Sequence, residues 1–122
     1  MRNVLTLLAS TAALAAQAQL PLGSPKEAIV AGANATGQTY QFASRCGTTA
    51  DLLKQYRSRF DSETNEGRAK LYPSLGIDID AEFKKGQEVG NQFYESVQSA
   101  SSRAQICKQT TDLIHSLVSV KK

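Results

Sequence analysis

Between Asp80 and Gln98, Phe83, Gly86, Gly90, Phe93 and Val97 recur at alternating three- and four-residue steps, which places all five on one stripe of an α-helix. A glycine in a helix interior costs roughly 1 kcal/mol relative to alanine, so a helix that keeps two of them must recover the loss through close packing. The five residues are therefore expected to form a packing seam on which another backbone lies. Asp78 or Asp80 starts this helix, and Glu82 stands in its first turn, where an acid suits the helix dipole.

Cys46 and Cys107 are the only cysteines, so a single intramolecular pairing exists. Closing a loop of that length stabilises a fold by roughly 4 kcal/mol in the chain-entropy model. The wide spacing matches no Cys-x-x-Cys redox or zinc motif. A bridge also fits the start of the chain. Met1-Arg2-Asn3 leads into an apolar run from Val4 to Ala16 and a small-residue site at Ala16-Gln17-Ala18, the layout of a secretory signal peptide. The run falls short of the about 20 residues that span a bilayer. Residues 1–18 are read as a leader cleaved by a bacterial signal peptidase, and residues 19–122 as one domain in an oxidising compartment, periplasmic or secreted. The net charge of +3 falls by one, to +2, on losing Arg2, too mild a balance to imply nucleic acid. No later segment approaches transmembrane length.

Along the domain, Ser24-Pro25-Lys26-Glu27 opens a helix with serine at the N-cap and proline at the first helical position. Gly32 offers it an early stop, and Gly32 to Gln38 reads as a small, polar, mobile connector, so residues 19–47 are expected to be a partly ordered lead. Asn34-Ala35-Thr36 fits the glycosylation acceptor pattern. Residues 40–46 are undecided between a helical turn and an extended piece. Thr48 or Thr49 caps a helix whose Leu52, Leu53, Tyr56 and Phe60 form one apolar face, with Arg57–Asp61 and Arg59–Glu63 paired on its outer side. This helix weakens around Thr64 to Gly67, and Gly67 to Asp78 is expected to be mostly loop. After the seamed helix, Ser99 to Ser102 forms a link, with a capping box at Ser102-Arg103-Ala104-Gln105. The last helix then carries Ile106, Thr110, Leu113, Leu117 and Val120 on one stripe, widened by Cys107, Ile114 and Val118. Bridged cysteines need Cα atoms within about 7 Å, so the starting ends of the Thr49 helix and the final helix must meet. The expected architecture is an all-α, up-down-up three-helix bundle with a short extra N-terminal helix and one disulfide.

The chemistry is sparse. His115, the only histidine, has Asp112 three residues before it, too few ligands on one helix to hold zinc. Glu82, Glu88 and Glu95 lie along the seamed helix, but all avoid its apolar stripe and read as a solvated face. No nucleophile elbow, phosphate-cradling loop, haem site or calcium loop is present. The expectation is a protein that is not an enzyme and uses no metal or cofactor. Tyr40, Phe42, Tyr72 and Tyr94 are less easily assigned to a core, since the first three fall in segments read as loops. Aromatics of this kind mark protein contact surfaces. The leading expectation is an exported binding protein acting on another protein as inhibitor, immunity protein, chaperone or effector. Tyr72, Leu75, Tyr40 and Phe42 are its expected contact residues. A helical carrier of an apolar small molecule, held by Phe83, Phe93 and the space beside Gly86 and Gly90, is the alternative, and a small hydrolase is third.

Overall fold

The computed structural model describes residues 24–119, and among them every regular element is helical. The leader with its cleavage point at Ala18, the extended lead at 19–23, and Val120, Lys121 and Lys122 lie outside the described residues. The helices are α1 (Pro25–Arg45), α2 (Ala50–Ala69), the single turn α3 (Leu71–Ser74), α4 (Ile79–Ser96) and α5 (Ala100–Ser119). The all-α class, the helix-on-helix packing and the disulfide agree with the sequence reading.

The main difference is α1. Its start is as expected, with the Ser24 hydroxyl accepting from the Glu27 amide at 3.4 Å, but the helix does not stop at Gly32. It continues for 21 residues to Arg45, through the segment expected to be a mobile connector. The physical reason lies in the partner. At Gly37 a Cβ would overlap the Phe83 carbonyl oxygen, at Gly86 it would overlap that of Asn34, and at Gly90 it would sit 2.6 Å from that of Gln38. The glycines of α1 and α4 thus interlock, and the close approach of two backbones offsets their weak helix propensity. Gly37 is a contact, where the local sequence suggested a break.

Along this crossing the two helices run parallel, their partners ascending together. Asn34 Nδ2 donates to the Glu82 carbonyl at 3.2 Å, Gln41 Nε2 donates to Asn91 Oδ1 at 3.1 Å, and Arg45 pairs with Glu95 at 2.6 Å. A glycan on Asn34 Nδ2 would displace the first of these, so the acceptor pattern coincides with a packing residue.

Cys46 caps the end of α1, and Gly47, at φ +89°, takes the left-handed conformation that turns the chain into α2. Thr49 caps α2 by accepting from the Leu52 amide at 3.2 Å. Its expected apolar face is realised, with Leu52, Leu53, Tyr56 and Phe60 all buried. Beyond Thr64 the helix extends to Ala69 without weakening, because Gly67 is covered by the Tyr72 ring, which α3 folds back over it. Asp78 caps α4 through the Ala81 amide at 3.1 Å.

The Cα atoms of Cys46 and Cys107 stand 5.5 Å apart, and Thr48 and Thr111 share a hydrogen bond of 3.0 Å beside them. The starting ends of α2 and α5 therefore meet as the bridge requires. With α2 and α5 running one way and α4 the other, the up-down-up order holds. The bundle is nevertheless organised on α1, against which α2, α4 and α5 all pack. Ser99, three residues earlier than expected, caps α5 by accepting from the Ser102 amide at 3.2 Å.

The core has two parts. One holds Ala33, Phe60, Tyr72, Ile77, Ile79 and Phe83; the other holds Ala43, Leu52, Leu53, Tyr56 and Ile114, and Tyr40 touches both. Outside the first, Arg57 and Arg68 grip Asp80 at 2.8 and 2.7 Å and also reach Asp61. Arg57 lies 4.3 Å over the Phe83 ring, so this network closes the end of the seam.

Candidate functional site

Of the residues expected to form a contact surface, two are packed inside and two are half-buried against the core. Tyr72 and Phe42 are buried, Tyr40 is half-buried with its ring 5.5 Å from that of Phe83, and Leu75 is half-buried against the same core part. The correction follows from the two helices that the sequence disguised. Phe42 and Tyr40 belong to the continuous α1, and α3 turns Tyr72 inward. The space beside Gly86 and Gly90 is filled by the α1 backbone, so the cavity expected there for an apolar ligand does not form.

Of the seam itself, Phe83, Gly86 and Gly90 are buried, whereas Phe93 is 48% exposed and Val97 is a half-buried residue at the helix end. The stripe is a seam only as far as Gly90. Beyond it, α4 and α5 both lean on α1 and meet one another sparsely, as where Arg103 lies over the Tyr94 ring.

The orientation of α5 explains what is left open. Cys107 must face Cys46, and helical spacing carries Thr111, Ile114 and Val118 inward with it. Ile114 is accordingly fully buried. Of the stripe read from the sequence, Ile106, Thr110 and Leu117 are half-buried, Leu117 against the core, and Leu113 is left 48% exposed. The cysteine was the signal that could have set this orientation.

A trough results. Phe93 forms one wall and Leu113 with Thr110 the other, over a floor of Gln38, Thr39 and Phe42 from α1, enclosing about 160 Å³. The Phe93 ring rests 5.1 Å from that of Phe42, which fixes its position while leaving its outer face open. Val89, one turn earlier on α4, is also exposed. Single exposed apolar residues are ordinary, but side chains facing one another across a floored cleft are the form that a docked side chain fills.

Among the described residues the titratable groups form no reactive cluster. Asp112 pairs with Lys108 at 2.9 Å, leaving His115 exposed beside it. Glu82 accepts from Asn34 Nδ2, Glu95 is held by Arg45, and Glu88 is exposed. Tyr56 is pushed above its ordinary pKa by burial, partly opposed by hydrogen bonds with Thr39 and Thr36. Among the described residues no three metal-ligating side chains come together, and no helix is long and apolar enough to cross a membrane. Comparison of the chain with protein families, with curated proteins and with solved structures found no match.

Proposed function

We propose that this is an exported, non-enzymatic binding protein that engages another protein through the trough between α4 and α5. The observation that carries the reading is the pair Phe93 and Leu113, each about half exposed on facing walls above the buried Phe42. An aromatic side chain held rigid by its own neighbours and open on one face loses little entropy on binding, the property of an interface anchor. Export is supported by the apolar run ending at Ala16-Gln17-Ala18 and by the Cys46–Cys107 bridge, which persists in an oxidising compartment. The role is that of an inhibitor, immunity protein, chaperone or effector, acting by occupancy.

The test uses the oxidised protein immobilised beside a Phe93→Asp, Leu113→Asp double variant, both exposed to envelope and secreted fractions of the source cells. A protein retained by the first and lost by the second is the expected result. Identical retention on both, or retention of lipids and metabolites alone, would contradict the proposal. Amino-terminal sequencing of the exported protein should begin at Gln19.

A further inference from the structure

We propose that the depression at the disulfide end of the α4–α5 trough binds a small carboxylate with a flat apolar body, with Arg103 as its anion-binding group. Among the described arginines, Arg45 pairs with Glu95, Arg57 with Asp61 and Asp80, Arg59 with Glu63, and Arg68 with Asp80 and Asp61. Arg103 has no carboxylate. Its Nη2 donates to the Val97 carbonyl oxygen, and its Nε, shielded from solvent, has no acceptor. The guanidinium is also held over the Tyr94 ring, 5.0 Å from its centre, with Arg45 at 4.6 Å from the same ring. A planar fork fixed by a carbonyl and an aromatic ring, with donors to spare, is arranged for a carboxylate.

The neighbouring charges do not neutralise it. Glu95 is committed to Arg45, whose hydrogen bond holds its carboxyl below the ordinary range, with Arg103 the weakest influence on it. Lys108 and Asp112 on the rim cancel one another at 2.9 Å. The depression therefore carries one uncompensated positive charge.

Its shape supplies the rest of the ligand. The depression holds about 610 Å³ and opens to solvent, and Tyr94, Ala100, Ala104 and the bridged Cys46 and Cys107 line it together with Arg103. Alanines at the two α5 positions leave the room that larger side chains would fill. Methyl groups, sulfur and an aromatic ring form apolar walls beside a single guanidinium, and the volume falls within the range of small-molecule sites.

This site is independent of the protein contact proposed above, since small molecules alone test it. Benzoate is titrated into the oxidised protein while NMR follows the Arg103 Nε–Hε and Tyr94 ring resonances. The controls are benzamide, which keeps the ring without the charge, and acetate, which keeps the charge without the ring. Saturable shifts with benzoate are expected, with both controls at least about tenfold weaker. Arg103→Gln should weaken benzoate by about tenfold or more, and Ala104→Leu should do the same by occupying the space while leaving the melting temperature unchanged. Should Arg103→Gln disturb folding, Ala104→Leu decides. Equal shifts with benzoate and benzamide, no saturable shift, or benzoate affinity unchanged in Ala104→Leu would overturn the proposal.

Discussion

The helices α4 and α5 both rest on α1, but they are held there by different means. On α4 the attachment is close approach: Gly37, Gly86 and Gly90 remove the side chains that would separate two backbones, and Phe83 is buried beside them. On α5 it is a covalent tie at Cys107, in the third turn, and Ile114, the one fully buried side chain of that helix. Where that contact is made, as far as Gly90, this face of α4 has nothing left to offer a partner, and the exposed Phe93 lies beyond it. A helix tied at a few points can stand away from its neighbour between them, and side chains of both α4 and α5 line the trough and the depression. The open surface of the molecule follows from the more local of its two attachments.

The contrast can be broken most severely at the bridge. Replacing both Cys46 and Cys107 with alanine should cost roughly 4 kcal/mol in the chain-entropy model, read as a fall in urea midpoint. A loss under about 1 kcal/mol would mean that α5 is held by packing after all.

The crossing is tested next, by paired substitutions that differ only in surroundings. Gly86→Leu forces a side chain into the α1 backbone and should destabilise by roughly 3 kcal/mol. Gly32→Ala, on the same α1 but with open space around it, should stabilise by about 0.5–1 kcal/mol because alanine is the better helix former. Similar effects of the two substitutions on the melting temperature would show that the seam is not close-packed.

The smallest effect sharpens the same end of the molecule. Asp80 lies below its ordinary pKa, chiefly through the hydrogen bond from Arg68, and Arg68 is correspondingly raised. A carboxylate lowered in the folded state contributes stability above its unfolded pKa of about 4 and loses it as pH falls through the folded value. Asp80→Asn should therefore destabilise the protein at pH 7, by no more than about 1 kcal/mol because the carboxylate is half exposed. As pH falls through that lowered folded value, the variant and the parent should converge. Persistence of the full difference in acid would assign it to shape, with no share for charge.

Much of the fold was legible because its signals are local. Caps at Ser24, Thr49 and Asp78, the apolar face of α2 and the single possible cysteine pairing each rest on a few neighbouring residues. The glycine stripe correctly announced a close crossing, yet its partner was hidden. Gly32-Ala-Asn-Ala-Thr-Gly37 has the composition of a connector, and only the α4 backbone facing Gly37 makes it a helix. The same reason governs the expected contact residues, since a continuous α1 buries Phe42 and lays Tyr40 against the core. The trough depended on the rotation of α5, where two overlapping apolar stripes were present and the covalent bond selected the one through Cys107 and Ile114.

Native-state hydrogen exchange of the oxidised and reduced protein tests the division between these attachments most directly. Reduction should deprotect the amides of α5 around Ile106 to Val118 while those of α1 and α4 around Gly37 and Gly86 keep their protection. Uniform loss of protection across all helices, or an α5 that exchanges as slowly reduced as oxidised, would contradict the account.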